Sequence, residues 1–79
     1  MPLVKVIGQY EFRFYSRGDA SEPPHIHVRR DRMEAKFWLT PTVLLARGGR
    51  FRSHELSEIA RLIVENRQEF IEAWYEHFE

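Results

Sequence analysis

Tyr10-Glu11-Phe12-Arg13-Phe14-Tyr15 alternates apolar and charged side chains, with Tyr10, Phe12 and Phe14 on one face and Glu11 and Arg13 on the other. A period of two is the mark of a half-buried strand. Upstream, Leu3-Val4-Lys5-Val6-Ile7 is a short β-branched run ended by Gly8 and reads as a first strand. Downstream, Ser16 to Pro24 is dense in Gly, Pro, Asp and Ser, so it is a loop. Pro24 lacks a backbone donor and suits the entry of the next strand, His25-Ile26-His27-Val28-Arg29, which packs through Ile26 and Val28. After a turn at Asp31-Arg32 come a strand from Met33 to Leu39, a break at Thr40-Pro41, and a short last strand from Val43 to Ala46.

The remainder reads as one helix. Ser53 is a suitable N-cap, and Glu55 and Glu58 favour the positive end of the helix dipole. No Gly or Pro interrupts His54 to Phe78, a run of roughly 37 Å at 1.5 Å per residue. Leu56, Ile59, Ala60, Ile63, Phe70, Ile71, Trp74 and Phe78 form its apolar stripe. The expected architecture is α+β: a small antiparallel sheet of four to five strands packed on one long C-terminal α-helix. Residues 1–79 make one domain, with a β-rich part over 1–50 and the helix over 53–79. Such a helix outreaches strands of roughly 17–20 Å. Trp74, Tyr75 and Phe78 are therefore expected to overhang the sheet, covered either by a second copy in a homodimer or by the first hairpin.

Composition narrows the function classes. Of 79 residues, 12 are basic and 12 acidic, but ten basic and five acidic groups precede Glu55, against two and seven from there on. A basic sheet lying against an acidic helix explains this; a basic face for a polyanion is the alternative. The absence of Cys excludes disulfides and thiolate metal sites. The apolar runs fall short of the roughly 20 residues of a membrane span, and the first residues do not resemble a signal peptide, so a cytoplasmic location is expected. No Gly-x-Ser-x-Gly, P-loop or Gly-x-Gly-x-x-Gly motif occurs.

Three places can carry chemistry. His25 and His27 are two apart on one strand and project together, behind a stiff Pro23-Pro24 entry. They can serve as an acid–base pair or as metal ligands, or simply stand on a solvent face. A metal would need a third ligand from Asp19, Glu22 or His54. Arg67 falls on the apolar stripe of the helix, where a guanidinium must be paired. It meets a sheet carboxylate such as Glu34, loop carbonyls, or a phosphate. Lys36 and Trp38 share a face, as core or interface, or as a nucleotide platform.

Gly18-Asp19…Glu22-Pro23-Pro24-His25-Ile26-His27-Val28, Ala35-Lys36-Phe37-Trp38-Leu39 and Phe51…Glu55-Leu56…Ile59…Glu65-Asn66-Arg67…Phe70…Trp74 together resemble the bacterial family called domain of unknown function 4160. The resemblance spans nearly the whole chain; Asp19 stands where Asn is more usual. It implies a small prokaryotic cytoplasmic protein, encoded beside another small protein as in a toxin–antitoxin pair, and it implies no activity. The expected function is thus a component of a toxin–antitoxin-like module working through contact with that partner. One alternative is a metal-independent ribonuclease or phosphoesterase, with His25 and His27 as acid and base and Arg67, Lys36 or Arg29 steadying an RNA or other phosphate ligand. Another is a small metal-binding module on His25 and His27. No cofactor is expected.

Overall fold

Five strands follow one another across a single antiparallel sheet in chain order: β1 (Leu3–Ile7), β2 (Tyr10–Arg13), β3 (His25–Arg30), β4 (Met33–Trp38) and β5 (Leu44–Arg47). Two helices complete the chain, α1 (Ser53–Glu65) and α2 (Arg67–Phe78). The structure is a computed structural model and describes residues 3–15 and 19–78. Ser16, Arg17 and Gly18, part of the expected loop, lie outside the described residues.

The alternation of β2 does what its period implies. Tyr10, Phe12 and Phe14 are all buried, and Phe12 stands opposite Val28 of β3. Register then carries the apolar face across the sheet, from Val28 to Ala35 and from Ile26 to Phe37. Ile59, Ile63, Phe70 and Trp74 of the helices are buried in the same core, where the Phe12 and Phe70 rings lie 5.2 Å apart. Burying a side chain of that size stabilises by about 1.5–3 kcal/mol, so these residues dominate the fold. Charge follows the asymmetry of the sequence: Lys5 and Arg30 of the sheet pair with Glu69 and Glu55 of the helices.

Two expectations need correction. The C-terminal helix is not one rod but two helices that break at Asn66. The Asn66 backbone N–H donates to the Leu62 and Ile63 carbonyls, and its side-chain amide also donates to Leu62, at 2.8 Å. A side chain that competes for helix carbonyls favours a cap over a helix interior. The Asn66 carbonyl in turn accepts from Phe70 N–H and opens α2. The N-cap of α1 is Arg52 rather than Ser53; its extended backbone N–H donates to the Glu55 carboxylate at 2.8 Å.

The helix end finds its cover within the chain. Trp74 meets Phe14 edge-on at 5.3 Å, and Phe78 lies 6.0 Å from the same ring. Phe14, one residue beyond β2, is what caps the overhang, and Tyr75 stays exposed.

Candidate functional site

The strand that begins at His25 is buried on both faces. Ile26 and Val28 enter the helix-covered core, while His25 and His27, on the other face, are 0% and 4% exposed. The two rings meet edge-on with centroids 5.1 Å apart. They do not stand on a solvent face, because a 3-10 turn at Asp19–Ser21 brings the buried Asp19 carboxylate against both. Its Oδ1 lies 2.9 Å from His25 Nε2, and its Oδ2 lies 3.3 Å from His27 Nε2. The backbone N–H of Tyr15 donates to Oδ2 at 2.8 Å and anchors the turn.

Each ring has a second neighbour. His25 Nδ1 is 2.9 Å from the Pro23 carbonyl. A carbonyl can only accept, so Nδ1 carries the proton and Nε2 is the nitrogen turned toward Asp19. The Pro23 carbonyl therefore keeps a proton on Nδ1 of the histidine that follows. His27 Nδ1 lies 3.8 Å from a Glu34 carboxylate oxygen, while the Tyr15 ring packs on His27 at 4.2 Å between centroids. Tyr15 donates its hydroxyl to Glu34. Burial and then the Glu34 carboxylate push the Tyr15 hydroxyl up to about 12, so it stays a donor.

Protonation follows from the surroundings. Burial raises the cost of charge on Asp19, but the Tyr15 N–H and the two imidazoles outweigh it and hold the carboxyl below its ordinary range. Burial pushes His27 the other way, toward the neutral form, and Asp19 only partly offsets it. The site thus holds a carboxylate facing a neutral His27.

Lys36 stands directly opposite His27 across the β3–β4 pair. Its ammonium donates to Glu22 at 2.6 Å and sits 4.6 Å from the Trp38 ring centroid, so one face of that tryptophan is covered by its own neighbour. Glu22 reaches to 3.7 Å from His25 Nδ1. Arg67 is placed elsewhere: its Nε donates to the Leu39 carbonyl at 2.8 Å and its terminal nitrogen to Pro41 at 3.2 Å. It holds the segment after β4 by its loop carbonyls, one of the pairings open to it from the sequence, and Glu34 pairs with Tyr15 instead. His54 stands exposed at the start of α1 and takes no part in the cluster.

Sequence reasoning missed Tyr15 and the role of Glu34. The signal was present: extending the alternation of β2 by one step places Tyr15 on the His27 face, and a β3–β4 turn at Asp31-Arg32 puts Glu34 there as well. Acid–base attack on a substrate by His25 and His27 requires it to touch rings that are almost wholly covered.

A second feature lies at the sheet edge. All four residues of β5 are exposed, and among the described residues β5 pairs with β4 alone, leaving its other side free. Leu44 and Leu45 are about half exposed, at 55% and 48%. Arg47 and Arg50 follow them, exposed, and neither forms an ion pair among the described residues.

Fold and site define a small α+β protein, a five-strand meander carrying a buried carboxylate–imidazole cluster at the start of β3. The family model described as Domain of unknown function (DUF4160) matches residues 10–75, and the chain belongs to that family. No curated protein and no solved structure matches it.

Proposed function

We propose that this protein is the binding component of a two-protein module, organised like a toxin–antitoxin pair, and that it holds its partner along the free edge of β5. The observation that carries this reading is that edge: a strand with one unpaired side, two half-exposed leucines and two unpaired arginines. Unpaired strand backbone is a template for another strand, and native sheets usually blunt or cover it. Main-chain hydrogen bonds supply affinity in such additions, and side chains supply choice. The fitting occupant is an extended segment of a second protein with apolar and acidic side chains, which would meet Leu44 and Leu45 with one kind and Arg47 and Arg50 with the other. The sealed histidines favour this reading over phosphoester cleavage, since a contact surface needs no access to them.

The test is co-expression with the product of the neighbouring gene, followed by sizing of the purified material. A stable complex is expected with the parent chain. Leu44→Asp and Arg47→Glu should abolish it while leaving the melting temperature within a few degrees, because both side chains are exposed. A complex that survives both substitutions, a homodimer through this edge, or a strict monomer would overturn the proposal.

A further inference from the structure

The buried cluster poses a problem that the binding role leaves untouched. His25 Nε2 and His27 Nδ1 are fully buried and have no hydrogen-bond partner among the described residues. His25 Nε2 lies only 2.9 Å from Asp19 Oδ1. The Nδ1 proton of His25 already goes to the Pro23 carbonyl, so it does not serve Asp19. A ring nitrogen and a carboxylate oxygen this close in a dry place need a positive charge between them.

We propose that Asp19, His25 and His27 form a binding site for one divalent transition-metal ion, held by the Nε2 atoms of the two imidazoles and a carboxylate oxygen of Asp19. The ligand atoms offered by the three residues all lie within 4.8 Å of one another. Two ligand atoms each about 2.1 Å from a tetrahedral ion lie about 3.4 Å apart, and Asp19 Oδ1 lies 2.9 Å from His25 Nε2 and 3.4 Å from His27 Nε2. The outer partners fit too. A metal-bound imidazole donates its other N–H to a backbone carbonyl or a carboxylate. His25 has the Pro23 carbonyl in that place, and the Glu34 carboxylate, held by Tyr15, lies 3.8 Å from His27 Nδ1, the nearest acidic group to it. A carboxylate and two imidazole nitrogens suit zinc, cobalt, nickel or ferrous iron better than magnesium or calcium, which prefer an all-oxygen shell. Three ligands leave a fourth position for water.

The probe is Zn²⁺ titrated into chelator-stripped full-length protein against a chromophoric zinc indicator, with Co²⁺ as a spectroscopic substitute. One ion per chain is expected, with a visible Co²⁺ band of four- or five-coordinate intensity. Asp19→Asn, His25→Gln and His27→Gln should each weaken Zn²⁺ binding by more than about 100-fold, and Glu34→Gln by about 10–100-fold. His54→Ala should leave it unchanged. If a ligand variant fails to fold, nitrogen NMR of the parent decides: Zn²⁺ must shift Nε2 of both His25 and His27 while Nδ1 of His25 keeps its proton. Absence of one-to-one binding, binding unaltered in all three ligand variants, or Zn²⁺ shifts confined to His54 and His77 would overturn the site. None of these readouts depends on the partner protein, so this inference and the proposed function stand or fall separately.

Discussion

Gly49 shows how little slack the fold has near the cluster. It takes a left-handed φ of 61°, and a Cβ built there would stand 2.0 Å from the Glu34 carbonyl oxygen. Gly8 shares the left-handed backbone, with φ of 60°, but a Cβ there would meet nothing within 4 Å. Gly8→Ala should therefore cost only the backbone term, about 1–2 kcal/mol. Gly49→Ala adds a collision with main chain and should cost clearly more, about 3 kcal/mol or beyond, read as the difference in urea midpoints. Equal losses would show that the close approach to Glu34 relaxes without cost. The buried acid and base make a second prediction at this scale. His27 is held below its unfolded value by burial, so unfolded chains take up a proton first as pH drops below about 6.5. Asp19 is held below its own unfolded value, so its contribution is present above about 4 and lost as pH falls further. Both push the same way: the metal-free protein should lose stability steadily from neutral toward acid pH, and His27→Gln should flatten the part above pH 5. A stability flat from pH 7 to 5 in the parent would refute the burial argument.

Among the elements, the strands were legible and the helix was not fully so. The alternation over Tyr10–Phe14 and the spacing of Ile26 and Val28 reach the right core, because both follow from the two-residue period of a strand. The break at Asn66 was hidden, since Asn is tolerated within helices and only its contact with the Leu62 carbonyl makes it a cap. The candidate site was legible in part. His-x-His behind Pro-Pro placed two rings on one face, and Asp19 was among the possible third groups, but their burial depends on a turn that strand periodicity does not describe. Arg67 belongs to the same lesson: its position on the apolar stripe demanded a partner, and only the path of the chain after β4 shows that carbonyls provide it. Arg67→Met should lower stability by about 1–2 kcal/mol, since a charged donor to a carbonyl contributes about 1.5–3 when dry and this one is half-buried. It should leave Zn²⁺ affinity and complex formation unchanged. A selective loss of either, with stability intact, would return Arg67 to the list of functional groups.

At the scale of the whole molecule, the opposite charges of the two parts contribute less than their number suggests. Lys5 and Glu69 join β1 to α2 at 3.0 Å, but both side chains are substantially exposed. A double-mutant cycle on this pair should give no more than about 1 kcal/mol, and less in high salt. A larger coupling would mean that ion pairs rather than apolar burial fasten α2 to the sheet. The aromatic arrangement around His25 has a different consequence. Trp38 lies edge-on to that ring at 5.5 Å and Trp74 at 4.9 Å, and the chain has only these two tryptophans. All of its indole fluorescence therefore originates beside one imidazole. Emission from the unlabelled polypeptide is a built-in optical gauge of whatever happens at that nitrogen.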